Sequence, residues 1–187
     1  MYGLELATAA DIDEIAELLQ ANSAAQGGSL TGNFSREVVA NMSLNGMPVI
    51  VARREGRIVG VLFSAVKGGS GEPSSIKAMW QAWPGGPSAY AYGPVCIAET
   101  ERGRGLLAQL YAALKHRLPN REAVLFIRRD NIGSIRAHQR LGMRETAEFV
   151  LKGDHFAVYS DNAAMDVAVE GDETVRMNVL PDSRDRQ

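Results

Sequence analysis

The chain has 187 residues, 45% hydrophobic and 22% charged, with a formal net charge of -2. That composition fits one globular domain with a real core, and the absence of a basic block argues against broad nucleic-acid binding. A lone Cys96 excludes an internal disulfide, no apolar run is long enough to span a bilayer, and His116, His138 and His155 are scattered without metal-ligand spacing.

The start, "MYGLELATAADIDEIAELL", is acidic and amphipathic, unlike a secretory signal, so the expected location is the cytoplasm. Its "YGLELAT" alternates as a strand does, and Asp11 opens a helix with Ile12, Ile15, Leu18 and Leu19 on one face. The small, polar "ANSAAQGGSLTGN" is a loop, and "SREVVANMSLNG" is a short helix with Ser35 as cap and Gly46 beyond its end. Two β-branched runs flank Glu55-Gly56 in "PVIVARREGRIVGVLFSAV", the signal of a hairpin. From Lys67 to Ser88 glycines and prolines surround "IKAMWQAW", which predicts one or two helical turns inside a functional insertion.

"AYAYGPVCIA" is the next strand, with a bulge or break expected at Gly93-Pro94 because proline cannot donate to a ladder. A helix from Leu106 to Leu118 places Leu107, Leu110, Leu114 and Leu118 on one face, and Pro119-Asn120 ends it. "EAVLFI" is a continuous apolar run, as a central strand should be. Asp130-Asn131 caps a further helix ending near Gly142, followed by two strands in "MRETAEFVLKG" and "HFAVYS". No internal repeat appears. The expectation is an α/β, or α+β, domain over 1–160. Its mixed, mostly antiparallel twisted sheet has about seven strands, with a splayed central parallel pair and about four flanking helices. The tail 161–187 is expected to form a terminal hairpin.

Two segments carry chemistry. "ERGRG" stands between a strand and a helix, where backbone N–H groups lack intrahelical partners and meet the positive end of the dipole. An anion, typically a phosphate, binds there; Gly103 and Gly105 remove the Cβ atoms that would hold it off, and Arg102 or Arg104 adds charge. A plain glycine connection with solvated arginines is the bland alternative. Leu106-Leu107 rules out a P-loop, and the third glycine of a dinucleotide fingerprint is missing. In the second segment Asn131, Ser134 and His138 form one polar line on a helix, with Ile132, Ile135 and Leu141 elsewhere around it.

Together the segments resemble the GNAT superfamily of acyl-CoA-dependent N-acetyltransferases. Its loop signature falls on Thr100 to Gly105: Gly103 and Gly105 match, while Thr100 stands where Gln or Arg is usual. Downstream, Asn131, Ser134 and Leu141-Gly142-Met143 fit the family pattern, with His138 at its tyrosine position. The resemblance runs from about Tyr2 to Ser160.

It implies an N-acetyltransferase that moves an acetyl group from acetyl-CoA, without a metal, to a primary amine of a small molecule or amino acid, by direct attack in a ternary complex. The amides of Arg102, Gly103, Arg104, Gly105, Leu106 and Leu107 would hold the pyrophosphate. Val95, Cys96 and Ile97 would pair with the pantetheine arm, the amide near Cys96 or Ile97 polarising the thioester. Asn131 would bind that arm or order a water, with Ser134 beside it, and His138 would protonate the leaving thiolate. For the base, Tyr90, Tyr92, Glu99, His155 and a water chain stay open, and Tyr92 is carried forward as the catalytic candidate. Cys96 inside an apolar strand reads as packing rather than as an acyl carrier. Trp80, Trp83 and Tyr90 are the expected acceptor wall. No nucleic acid or membrane partner is expected, and a homodimer is. The departures at Thr100 and His138 leave a catalytically degenerate acyl-CoA sensor or regulatory subunit as the alternative, with a cofactor-free interaction domain behind it.

Overall fold

The computed structural model describes residues 1–162 apart from 27, 29, 31, 33 and 45; most of the expected terminal hairpin lies outside the described residues. Among the described residues seven strands form one sheet in the order β1-β2-β3-β4-β5-β7-β6. They are β1 (Gly3–Leu6), β2 (Ile50–Arg54), β3 (Arg57–Val66), β4 (Tyr90–Ile97), β5 (Ala123–Arg128), β6 (Arg144–Leu151) and β7 (Asp154–Ser160). All neighbours are antiparallel except β4 and β5, which run parallel.

Five α-helices cover the sheet among the described residues: α1 (Ile12–Ala21), α2 (Arg36–Ser43), α3 (Ser74–Ala82), α4 (Leu106–Arg117) and α5 (Ile132–Arg140). The fifth, beyond the four expected, is α3, longer than the turn or two predicted. Its Met79 and Trp80 pack with Ala89, Ala91, Val124 and Val158, so tertiary burial stabilises a segment too short to be helical alone. As expected, the Ser35 hydroxyl caps α2 by accepting from the Val38 amide.

The core has two sides. On one, α4 packs Leu106, Leu110, Leu114 and Leu118 against Ile50, Leu62, Tyr90, Tyr92, Leu125, Ile127 and Tyr159. The seam of α4 starts at Leu106 rather than the expected Leu107: Leu106, Leu110, Leu114 and Leu118 follow one another at four-residue spacing, and Leu107 lies beside them, half-buried. On the other side α1 and α2 cover Val49, Val51, Val61, Phe63 and Cys96, with α3 beside them.

The site exists because β4 and β5 diverge. Their shared register is Tyr90 with Ala123 and Ala91 with Val124. Beyond it β4 shifts register against β3 between Leu62 and Ser64, across from Gly93-Pro94, and the two parallel strands separate.

Candidate functional site

The gap between β4 and β5 opens into a cleft of about 1100 Å³. Of the residues singled out by sequence, it brings together Tyr92, Val95, Cys96, Ile97, Arg102, Gly103, Gly105, Leu106, Leu107, Asn131, Ser134 and His138. These come from the end of β4, the loop into α4, and the first two turns of α5.

The loop leaves the start of α4 uncovered. Gly103 (φ 73°) and Gly105 (φ 77°) both adopt the left-handed backbone, and a Cβ on either would meet only open space within 4 Å. Glycine therefore serves the turn itself and leaves the approach to the first amides of α4 clear. A short turn at Glu99–Glu101 carries the chain into this loop. Glu101, which sequence reading passed over, is buried there and anchors it: its carboxylate accepts from the Tyr2 hydroxyl at 2.6 Å and from Arg54 at 2.8 Å. The Tyr2 bond, with the Arg54 charge, holds the Glu101 carboxyl below the usual carboxylate range. Arg102 reaches back to the Asn22 side-chain oxygen and the Ile97 carbonyl, facing the cleft. Arg104 turns away; its side chain is 57% exposed, at 3.9 Å from Glu101.

On α5 the Asn131 side chain accepts from the Ser134 amide at 3.1 Å, which caps the helix and leaves its NH2 group free to donate. The line of Asn131, Ser134 and His138 faces inward: His138 is buried, whereas Ile132 of the same helix is 49% exposed. His138 Nδ1 lies 2.8 Å from the Ser134 carbonyl, which can only accept, so Nδ1 carries the hydrogen and Nε2 presents a lone pair. Nε2 is buried without a partner among the described residues. Burial outweighs the Ser134 bond and pushes the imidazole below its ordinary value, so it is neutral at pH 7.

Tyr92 meets His138 edge-on, the ring centres 5.6 Å apart, and its hydroxyl is likewise buried and unpartnered among the described residues. Burial first, then the neighbouring Tyr90, raises its pKa well above 10, so the group stands as the O–H form, able to donate. The Cys96 thiol is buried, pushed up to about 12, and donates to the Leu18 carbonyl at 3.7 Å; such a thiol is inert packing.

The expected acceptor wall is not at the cleft. Trp80 is buried under α3 with its indole N–H on Glu72 at 3.0 Å, and the Trp83 indole donates to Glu122 at 2.9 Å. Tyr90 is fully buried against α4. Their apolar surface is spent on the core. Instead the cleft takes Phe126 and Arg128 from β5, Phe156 from β7 and Ile76 from α3. The period-two alternation of β5 was the signal that places Phe126 and Arg128 on the face opposite Leu125 and Ile127.

A family model described as the acetyltransferase (GNAT) family matches residues 16–143. The chain belongs to the GNAT acetyltransferase family. Solved structures agree in fold. A GNAT-family acetyltransferase from Streptococcus agalactiae superposes with a TM-score of 0.66 at 16% identity, covering 85% of this chain and 94% of that one. A GNAT phosphinothricin acetyltransferase from Sinorhizobium meliloti, in complex with acetyl-CoA, gives 0.63 at 20% identity, covering 85% and 86%. The ribosomal-protein-S18-alanine N-acetyltransferase of Escherichia coli gives 0.63 at 11%, covering 86% and 92%. At these identities the likeness concerns the fold alone. No curated protein sequence matches the chain. Among the described residues no cluster of three metal-ligating side chains occurs, and no helix is long and apolar enough to cross a membrane.

Proposed function

We propose that this GNAT chain transfers an acetyl group from acetyl-CoA to the primary amine of a small molecule or amino acid, by direct attack within a ternary complex. The observation that carries the reading is the seam between β4 and β5, open past Ala91 and Val124 and ending at the glycine loop of α4. The fit to the co-substrate is chemical. The open space over Gly103 and Gly105 and the unpartnered amides opening α4 suit a pyrophosphate, with Arg102 adding charge. Val95, Cys96 and Ile97 offer extended backbone for the pantetheine arm, and the Asn131 NH2 faces the same slot. When bound, acetyl-CoA supplies the activated acyl group.

The proton work falls to His138 and Tyr92. A neutral imidazole whose buried Nε2 has no partner among the described residues accepts a proton as the free-base amine adds, and as imidazolium it returns that proton to the departing sulfur; the proton that makes the free amine an ammonium leaves to solvent before attack. The acid role expected of His138 is kept, with the proton taken from the amine rather than resident at neutral pH. Tyr92, held as O–H, donates a hydrogen bond to charge developing nearby. The inert Cys96 argues against a covalent acyl-enzyme.

A thiol-release assay with acetyl-CoA over a broad amine panel tests the proposal, with His138→Ala as the probe. An expected loss on the order of 10²-fold in kcat and kcat/KM together marks a group acting in the transition state. Acetyl-CoA binding without turnover of any amine would favour the regulatory alternative.

A further inference from the structure

We infer that the acceptor is an apolar or aromatic amino acid, its carboxylate held by Arg128 and its side chain by the phenylalanines beside it; this rests on the acetyl-transfer reading above. The sheet brings these residues together. Arg128 of β5 pairs with Phe156 of β7, which pairs in turn with Phe149 of β6. Cross-strand partners share a face, so the three form one row, and Phe126, two residues before Arg128, stands beside it. Ring centres lie 5.4 Å apart for Phe126 and Phe156 and 5.0 Å for Phe149 and Phe156. Since Leu125 and Ile127 pack toward α4, this row belongs to the opposite side of the sheet from the glycine loop's helix. Phe126, Arg128 and Phe156 line the cleft, and Ile76 faces them from α3.

The wall's chemistry is selective. Phe126 is only partly buried by the protein, which leaves ring surface for an apolar ligand group. Arg128 is 40% exposed, and its Nε donates to Asp130 at 2.6 Å. Asp130, with Asp154 at longer range, keeps the guanidinium charged. Its terminal NH2 groups remain as donors for a carboxylate. A second positive charge on the acceptor would face the Arg128 guanidinium in the same wall. The carboxylates lining the cleft among the described residues are Glu101, committed to Tyr2 and Arg54, and Asp130, committed to Arg128. An acceptor that is anionic next to its amine and apolar beyond it satisfies both features; a polyamine or a lysine side chain satisfies neither.

Matched pairs test this: L-phenylalanine against phenethylamine, and L-leucine against isopentylamine, each pair differing by the carboxylate. Rates with acetyl-CoA and calorimetric binding to the CoA-bound protein are both measured. The carboxylated member should be favoured about tenfold to a hundredfold, the range of a charge-assisted pair. L-Phenylalanine should also exceed L-aspartate. In Arg128→Met the ratio should collapse towards one, and Arg128→Lys, which keeps charge but loses the fork, should fall between. Equal use of L-phenylalanine and phenethylamine by the wild type overturns the assignment, as does a ratio that Arg128→Met leaves intact. Preferred acetylation of lysine or a polyamine overturns the acceptor class while leaving acetyl transfer standing. Failure of acetyl-CoA itself to bind overturns both.

Discussion

Alanine at Gly103 or Gly105 separates the two duties of the loop. Both backbones are left-handed, at φ 73° and 77°, and an added Cβ meets no protein atom within 4 Å. The cost to the ligand-free fold is therefore the conformational one alone, roughly 1–2 kcal/mol. For a domain of this size that lowers Tm by about 2–8 °C. Gly56, in the β2–β3 turn, is the control: its φ is 80° and its Cβ also meets open space, so Gly56→Ala carries the same strain far from the cleft. Acetyl-CoA at a hundred times its Kd should stabilise the wild type by about 2.7 kcal/mol. That corresponds to a rise of about 5–11 °C, at about 2–4 °C per kcal/mol. Scanning calorimetry with and without acetyl-CoA should show all three variants melting lower. Gly56→Ala should keep the full ligand shift, while Gly103→Ala and Gly105→Ala lose most of it because the methyl occupies the anion's approach. Full ligand shifts in both loop variants would refute the anion cradle and leave the glycines as turn formers only.

Trp80→Ala should lower stability by about 3–5 kcal/mol, the range for emptying a buried aromatic site, as melting can show; a raised amine KM with intact stability would return Trp80 to the acceptor wall. Cys96→Ala should retain turnover, and mass spectrometry should find no acetylated cysteine in the wild type; an acetylated Cys96 would reinstate an acyl-enzyme. Glu101→Gln should lower both Tm and acetyl-CoA affinity, since Arg54 of β2 and Tyr2, just before β1, lose the charge that ties the loop to them, as melting and calorimetry can show. His138 is held below its ordinary 6.5 in the folded protein, so between that lower value and 6.5 the unfolded chain binds more protons. Wild-type stability should therefore be full above pH 6.5 and decline as pH falls below it, and His138→Leu should remove that part of the slope; identical slopes in urea titrations would mean the imidazole is not desolvated.

Periodicity made most of this fold legible. Alternation in "YGLELAT", the β-branched runs around Glu55-Gly56 and the continuous "EAVLFI" each gave strands where the structure has them. The glycine loop was readable because positive φ demands a particular residue type, which leaves a mark on the chain. Direction was harder to read. His138, Asn131 and Ser134 form a polar line that looks outward by composition, yet it faces the cleft while Ile132 takes the solvent. The tryptophans show the same limit: a large ring serves equally as a wall or as a core anchor, and the packing of α3 decides. Glu101 was invisible because its partners, Tyr2 and Arg54, are 99 and 47 residues away. The row of Arg128 and Phe156 likewise depends on a register that no local pattern specifies.

The two shared positions of β4 and β5 make the sheet resemble a book with a short spine. Strands β1 to β4 form one leaf and β5 to β7 the other, each laddered internally, with Tyr90 and Ala91 meeting Ala123 and Val124 at the binding. Past that point the molecule forgoes cross-strand hydrogen bonds in the middle of its own sheet, where most proteins concentrate them. Breathing should therefore begin at the centre rather than at the outer strands, as a parting of leaves in which neither unravels. A ligand laid in the gap would act as stitching between the two leaves.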